Sequence, residues 1–452
     1  MKATGRAALA GLLLAACAAP SRPPATAPAT SDPGDASRLL VLTGRLVDGT
    51  GAPAVEDGIV VVEGDRIRCA GTRAECPAPA GARVIDAEGG TILPGLVDLH
   101  VHARPHYLSL FLPAGVTSVR DLNNDFGMLD TLRAAGPRPR IFASGPLLDG
   151  EGSVIARMGG RVLPAGTPEE ARASVDTLVA RGASVVKLYE KIPPAAFAAA
   201  AGRAREVGIP TATDLGIQLT RGLTDAQVDA LQALEAGVSS IEHSSGFALA
   251  YRRLGGDPAR LPLDPALVDS LARALVRSGA TLVPTLVTAW SFASDSLPDV
   301  RHLPSAALLP EGMAEWWTGM HGGTTSEQRA RARADLELSR ALVRRVVEIG
   351  GRVGAGSDVP AGPMVVPGGS LHRELELLVE AGLTPLQAIR AATGEAGALL
   401  GRPELGTLTA GSLADVLMVG GHPDRDVRAT RDVRWVVLGG EVVAPAAAVP
   451  AP

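Results

Sequence analysis

Aromatic side chains make up only 3% of this 452-residue chain, so any core it builds must be aliphatic. A broad basic field is missing too: the formal charge is −5, which argues against a nucleic-acid partner. No glycine-rich phosphate loop or dinucleotide fingerprint occurs. The apolar run at residues 7–14 is too short to span a bilayer as a helix. Cysteine is confined to Cys17, Cys69 and Cys76, and there are only eight histidines. What remains, 46% hydrophobic and 20% charged, is the composition of a globular protein long enough for one large domain and a smaller one.

Residues 1–17 read as an export signal, with Lys2 and Arg6 ahead of the apolar run and small residues after it. Leu14-Ala-Ala-Cys17 resembles the bacterial lipobox, which implies that Cys17 carries lipid and anchors the mature protein to a membrane; an ordinary signal peptide is the alternative. Ala18 after the cysteine favours the outer membrane, on its periplasmic side. Residues 18–37, rich in Pro, Ala, Ser and Thr, then form a flexible tether. In an oxidising compartment Cys69 and Cys76, seven residues apart, are candidates for a disulfide, with two buried thiols as the alternative.

From residue 38 the pattern is short β runs separated by Asp-Gly, Gly-Asp and Gly-Gly turns, and the same texture returns near the C-terminus. Segments 38–93 and 407–443 are therefore expected to form one small β-sandwich domain, with 444–452 a disordered tail. Between them, 94–406 alternates apolar strands with amphipathic stretches at 168–180, 194–207, 225–236, 265–277 and 325–349. Strand ends fall near His102, Asp121, Ser144, Tyr189, Asp214, His243, Thr285 and Asp358. Eight such units predict an α/β fold, a (β/α)8 TIM barrel, with an open doubly wound sheet as the alternative. Polar residues recur at the C-terminal end of strand after strand, where a barrel places its active site.

The stretch Leu96-Val-Asp-Leu-His-Val-His102 carries the first chemical signal. On a strand, residues i and i+2 share a face, so His100 and His102 can ligate one metal ion. A pair of surface histidines is the bland alternative.

GLVDLHVH at 95–102, VVKLYE at 185–190, SIEHSSG at 240–246 and GAGSDVP at 354–360, in this order, resemble the amidohydrolase superfamily, in its imidazolonepropionase-like and dipeptidase-like branch. The likeness extends over nearly the whole mature chain, through the helical stretch at 369–393 and the segment GSLADVLMV at 411–419. It implies that His100, His102 and Asp358 hold a first divalent ion. It also implies that Lys187 is a carboxylated, bridging ligand, that His243 binds a second ion, and that Asp358 shuttles a proton. The cofactor implied is Zn²⁺, one or two ions, with Mn²⁺ as the alternative. Where the family carries a histidine on the fifth strand, Pro210-Thr-Ala-Thr-Asp214 supplies an aspartate. Three readings follow: an oxygen ligand to the second ion, a mononuclear enzyme, or a non-catalytic barrel that only binds.

The reaction implied is hydrolysis of a carbon-nitrogen bond of a small molecule by a metal-activated hydroxide. The substrate class is a cyclic amide, an N-acyl amino acid or a dipeptide, with ordinary peptide bonds set apart. Deamination and ester hydrolysis are the alternatives within the superfamily. Tyr189 shares the inward face of Lys187 and could polarise a substrate oxygen. Substrate contact is expected from His106, on the loop after the first strand. Trp290, Trp316 and Trp317, in the long excursion after the seventh strand, are expected to form a substrate wall or lid. The partners are then a small-molecule amide and a lipid anchor, and association into a homo-oligomer is left open.

Overall fold

The computed structural model describes residues 39–216 and 226–445. The export signal, Cys17 and the tether lie outside these residues, as do 446–452. Seventeen strands occur among the described residues. They are β1 (Leu39–Leu46), β2 (Val55–Glu63), β3 (Arg66–Thr72), β4 (Arg83–Pro94), β5 (Leu96–Val101), β6 (Val116–Asp121), β7 (Arg140–Ala143), β8 (Leu147–Asp149), β9 (Val162–Pro164), β10 (Val186–Leu188), β11 (Thr211–Thr213), β12 (Ser240–Glu242), β13 (Thr281–Val283), β14 (Arg352–Val353), β15 (Val416–Val419), β16 (Val433–Leu438) and β17 (Glu441–Pro445).

β5 to β14 form the TIM barrel. One run of hydrogen-bonded neighbours is β5-β6-β7, and a second is β14-β13-β12-β11-β10-β8-β9. Ser184 N–H donates to Ala143 O and joins the runs on one side. On the other side Leu99 N–H donates to Ala355 O and Val101 pairs in parallel with Val359, which closes the ring. β8 continues the third barrel position, and β9 is an extra strand paired to β8. The eighth position is brief, because after β14 the chain follows β5 through irregular backbone as far as Asp358.

Both ends of the chain build the second unit, a seven-stranded sheet in the order β17-β16-β15-β4-β1-β2-β3. β1 shows how period-2 alternation serves two faces. Leu40 and Leu42 join the cluster around Val60, Ile92 and Met418, whereas Val41 packs with Ile59, Val61 and Cys76 on the other side. Cys69 and Cys76 are disulfide-bonded with Cα atoms 5.8 Å apart, and the bond backs that second cluster. β17 runs to Pro445, two residues into the segment expected to be a tail, because Trp435 and Val436 of β16 pair with Pro445 and Ala444. No helix among the described residues is long and apolar enough to cross a membrane.

The helices follow their sequence signals. The helix Pro168–Ala180 opens on a capping box between Thr167 and Glu170 with proline in its first turn, and Ser326–Glu348 opens on a capping box between Thr325 and Gln328 without one. Each such cap contributes about 1 kcal/mol. The stretch expected at 225–236 shortens to Ala230–Glu235, since Asp229 caps it later.

Candidate metal centre

The site grows out of strand ends. Asp358 N–H donates to His100 O at 2.7 Å, which sets the eighth position beside β5. Gly356 permits this approach: a Cβ there would lie 2.9 Å from His100 Cβ. His243, Thr285 and Asp358 have φ of 60°, 45° and 57°, the left-handed region that non-glycine residues avoid. Three such residues at one mouth of the barrel mean that packing holds their side chains in place at a local backbone cost of roughly 1 kcal/mol or more each.

Ligand atoms of His100, His243 and Asp358 lie within 4.8 Å of one another. Asp358 Oδ1 is 3.1 Å from His102 Nε2 and 3.5 Å from His100 Nε2. Asp214 Oδ2 lies 3.6 Å from both Lys187 Nζ and His243 Nε2. Lys187 is almost wholly buried, and its Nζ makes no hydrogen bond. The six residues marked in the sequence as ligands are thus brought together, His102 and His100 beside Asp358, Lys187 beside Asp214, and His243 close to both sets.

Burial, and then the neighbouring Lys187, hold the His100 imidazole well below its usual range, so it is neutral and able to ligate. Burial alone would push the Asp358 carboxyl up. The fields of His100 and His243 and the His102 hydrogen bond outweigh it and bring the group down to about 2. Asp214 behaves alike: burial opposes ionisation, but Lys187 and His243 keep it an anion. A neutral His100 imidazole beside the anionic carboxylates of Asp358 and Asp214 offers donors of the kind that a divalent cation requires.

Beneath the site lies a network that the sequence reading passed over. His100 Nδ1 donates to Glu242 Oε2 at 2.9 Å. Arg120 Nη2 lies 2.8 Å from each Glu242 oxygen, and Ser240 Oγ donates to Oε1 at 2.5 Å. His100, Arg120, Ser240 and Glu242 are all essentially excluded from solvent. With its Nδ1–H committed to a carboxylate, His100 turns the lone pair of Nε2 toward Asp358. The signal was available: Arg120 in VTSVRD and Glu242 in SIEH are opposite charges near the C-terminal ends of two short, wholly buried strands.

A cleft of about 480 Å³ opens over the ligands and is lined by His102, Lys187, Tyr189, Asp214, His243 and Asp358 among others. Tyr189 therefore stands where the sequence placed it. Four other expected contacts lie outside this lining. His106 is solvent-exposed, packs edge-on to Tyr107 and does not line the cleft. Trp290 faces a separate, smaller cavity with the Arg373 guanidinium 4.8 Å from its ring. Trp317 is fully buried and donates its indole N–H to Pro360 O, and Trp316 is 49% exposed. The excursion after β13 does reach the cleft, through Phe292, Thr324 and Gln328 instead.

The profile described as the amidohydrolase family matches residues 91–443. The chain belongs to this family. An imidazolonepropionase of Anaeromyxobacter dehalogenans is 27% identical over 421 residues, covering 81% of this chain and 85% of that protein. One from Streptomyces griseus is 24% identical, covering 83% and 88%. A 5-methylthioadenosine/S-adenosylhomocysteine deaminase of Symbiobacterium thermophilum is 46% identical over 67 residues, and the chain spans only 15% of its length. Among solved structures, one described as a prolidase of Bifidobacterium longum superposes with a TM-score of 0.67 at 26% identity, covering 90% of this chain and 94% of that one. Prolidases among the neighbours of an amidohydrolase remove the ground for setting peptide bonds apart.

Proposed function

We propose that this amidohydrolase is a metal-dependent hydrolase that cleaves a carbon-nitrogen bond of a small molecule, a cyclic amide, N-acyl amino acid or dipeptide. The observation that carries the reading is the convergence of His100, His243 and Asp358 donors at the barrel mouth, with the opposite nitrogen of His100 tied to Glu242. The donors suit Zn²⁺ or Mn²⁺, and the buried Nζ of Lys187, which makes no hydrogen bond and lies 3.6 Å from Asp214, suits an additional ligand made by carboxylation. His100, His102 and Asp358 would hold one ion, with Lys187, Asp214 and His243 as ligands to a second. A bound ion supplies Lewis acidity and brings the pKa of water toward neutrality.

The chain's own groups supply the rest. Asp358, held as an anion beside His102, is placed to accept a proton from the attacking water and return it to the leaving nitrogen. Tyr189 lines the same cleft, where its hydroxyl can orient a substrate oxygen. The same proposal takes the mature protein as exported and anchored through lipid on Cys17. The test is turnover of N-acyl amino acids, dipeptides and cyclic amides by protein reconstituted with Zn²⁺ or Mn²⁺. Asp358→Asn should lower kcat by 10²-fold or more. Turnover by the metal-free protein, or an Asp358→Asn variant as active as the wild type, would reject the assignment.

A further inference from the structure

Beyond the candidate ligands the cleft lining is mixed, with Asn123, Glu190 and Gln328 among its polar members and a group of aliphatic and aromatic side chains beside them. Leu122, Leu147, Val154, Ile155 and Phe292 all face it. Leu122 and Leu147 are buried parts of the barrel, but Val154, Ile155 and Phe292 remain partly exposed. Val154 and Ile155 sit on the single-turn helix Val154–Arg157, which has no buried residue at all. Val154 and Ile155 are half-buried, so part of their apolar surface is left facing the cleft, where an apolar group that covered it would gain by removing it from water. Glycines bracket it: Gly150 and Gly152 precede the turn and Gly159 and Gly160 follow, with φ of 80° at Gly152 and 83° at Gly159. The close pass of Gly150, whose Cβ would lie 2.0 Å from Lys191 O, seats the start of this excursion against the chain after β10. The two aliphatic side chains thus enter the cleft lining from a turn bracketed by glycines.

We infer that the cleft contains an apolar subsite, formed by Val154, Ile155 and Phe292 over Leu122 and Leu147, that accepts an alkyl or aryl substituent next to the scissile amide. The inference rests on the hydrolase reading above and narrows it: among small amides, those carrying a hydrocarbon chain or ring are the preferred class. Burying one methylene against such a wall is worth about a fourfold gain in kcat/KM.

The experiment uses the full chain reconstituted with Zn²⁺ or Mn²⁺ and two homologous series, N-acylglycines lengthened on the acyl side and N-acetyl amino acids lengthened on the side chain. One series should show kcat/KM rising about fourfold per methylene over the first three. Ile155→Asn and Phe292→Asn should each cut that slope to less than twofold per methylene. Met158→Gln, on the same excursion but 79% exposed and outside the cleft lining, should leave the slope unchanged. Circular dichroism and metal content control for folding of each variant. Turnover with a flat or falling slope in both series overturns the apolar subsite and leaves the hydrolase reading intact. A slope that both asparagine variants retain overturns its placement. If no compound of these series is turned over, N-acyl amino acids fall as the substrate class, and calorimetric binding of the same compounds decides the subsite. Affinity rising and heat capacity becoming more negative with chain length then support it, and length-independent binding rejects it.

Discussion

Glu242→Gln tests the network beneath the candidate metal centre most sharply, because it changes one oxygen and almost no volume. The carboxylate receives His100 Nδ1–H at 2.9 Å, Arg120 Nη2 at 2.8 Å from both oxygens, and Ser240 Oγ–H at 2.5 Å. A glutamine has one oxygen and an N–H₂ group to meet the same three donors, so one donor faces another. More costly is Arg120, whose guanidinium would stay buried without its anion. Removing one partner of a buried pair costs about 3–5 kcal/mol. Urea denaturation of metal-free protein should therefore show the midpoint falling with the slope unchanged. Adding Arg120→Met should recover part of the loss, since the uncompensated charge goes with it. Metal affinity, read by competition with a chromophoric chelator, should fall about 10- to 100-fold, because His100 is free to present the wrong nitrogen. If the single variant loses less than 1 kcal/mol and binds metal as the wild type does, then Glu242 neither pairs with Arg120 as an ion nor orients His100.

Asp214→His bears on stoichiometry: if the aspartate ligates a second ion, elemental analysis finds two ions in both wild type and variant. One ion in the wild type and two in the variant would show that the aspartate excludes the second. His372 bears on pH dependence. It is fully buried, with Nε2–H donating to Ala114 O at 2.8 Å and Nδ1 2.9 Å from Thr430 Oγ1, and burial holds it down to about 4. The unfolded chain takes up the proton near pH 6.5 and the folded chain only near 4, so stability is lost as pH falls through that window, by about 3 kcal/mol in total. His372→Gln should flatten this slope in urea titrations at pH 4 to 7, and a variant with the wild-type slope would refute the assignment. Cys17→Ser should move the protein from the membrane fraction to the soluble periplasmic fraction, and an unchanged distribution would reject the lipid anchor.

The barrel was legible because its strands end where apolar runs meet a polar residue. His100 and His102 share a face by the period of the strand alone, and the ends near Asp121, Tyr189, Asp214 and His243 fall within a residue of the observed ones. The tryptophan-rich excursion was legible in composition but not in direction. Trp316 and Trp317 lie on one helix about 100° apart, so the two side chains leave it in different directions. The structure buries one and exposes the other, and the cleft receives Phe292 and Gln328, which no compositional bias marks. Glu242 was hidden for a different reason: it stands next to a histidine whose chemistry explains the motif without it. Its role emerges only when strand order places β12 across the barrel interior from Arg120 on β6 and His100 on β5. A ligand motif can be read locally, but the groups that aim its ligands come from strands distant in the chain. In this barrel those groups include charged side chains near the ends of wholly buried strands, and each such charge implies a partner that the fold has to supply.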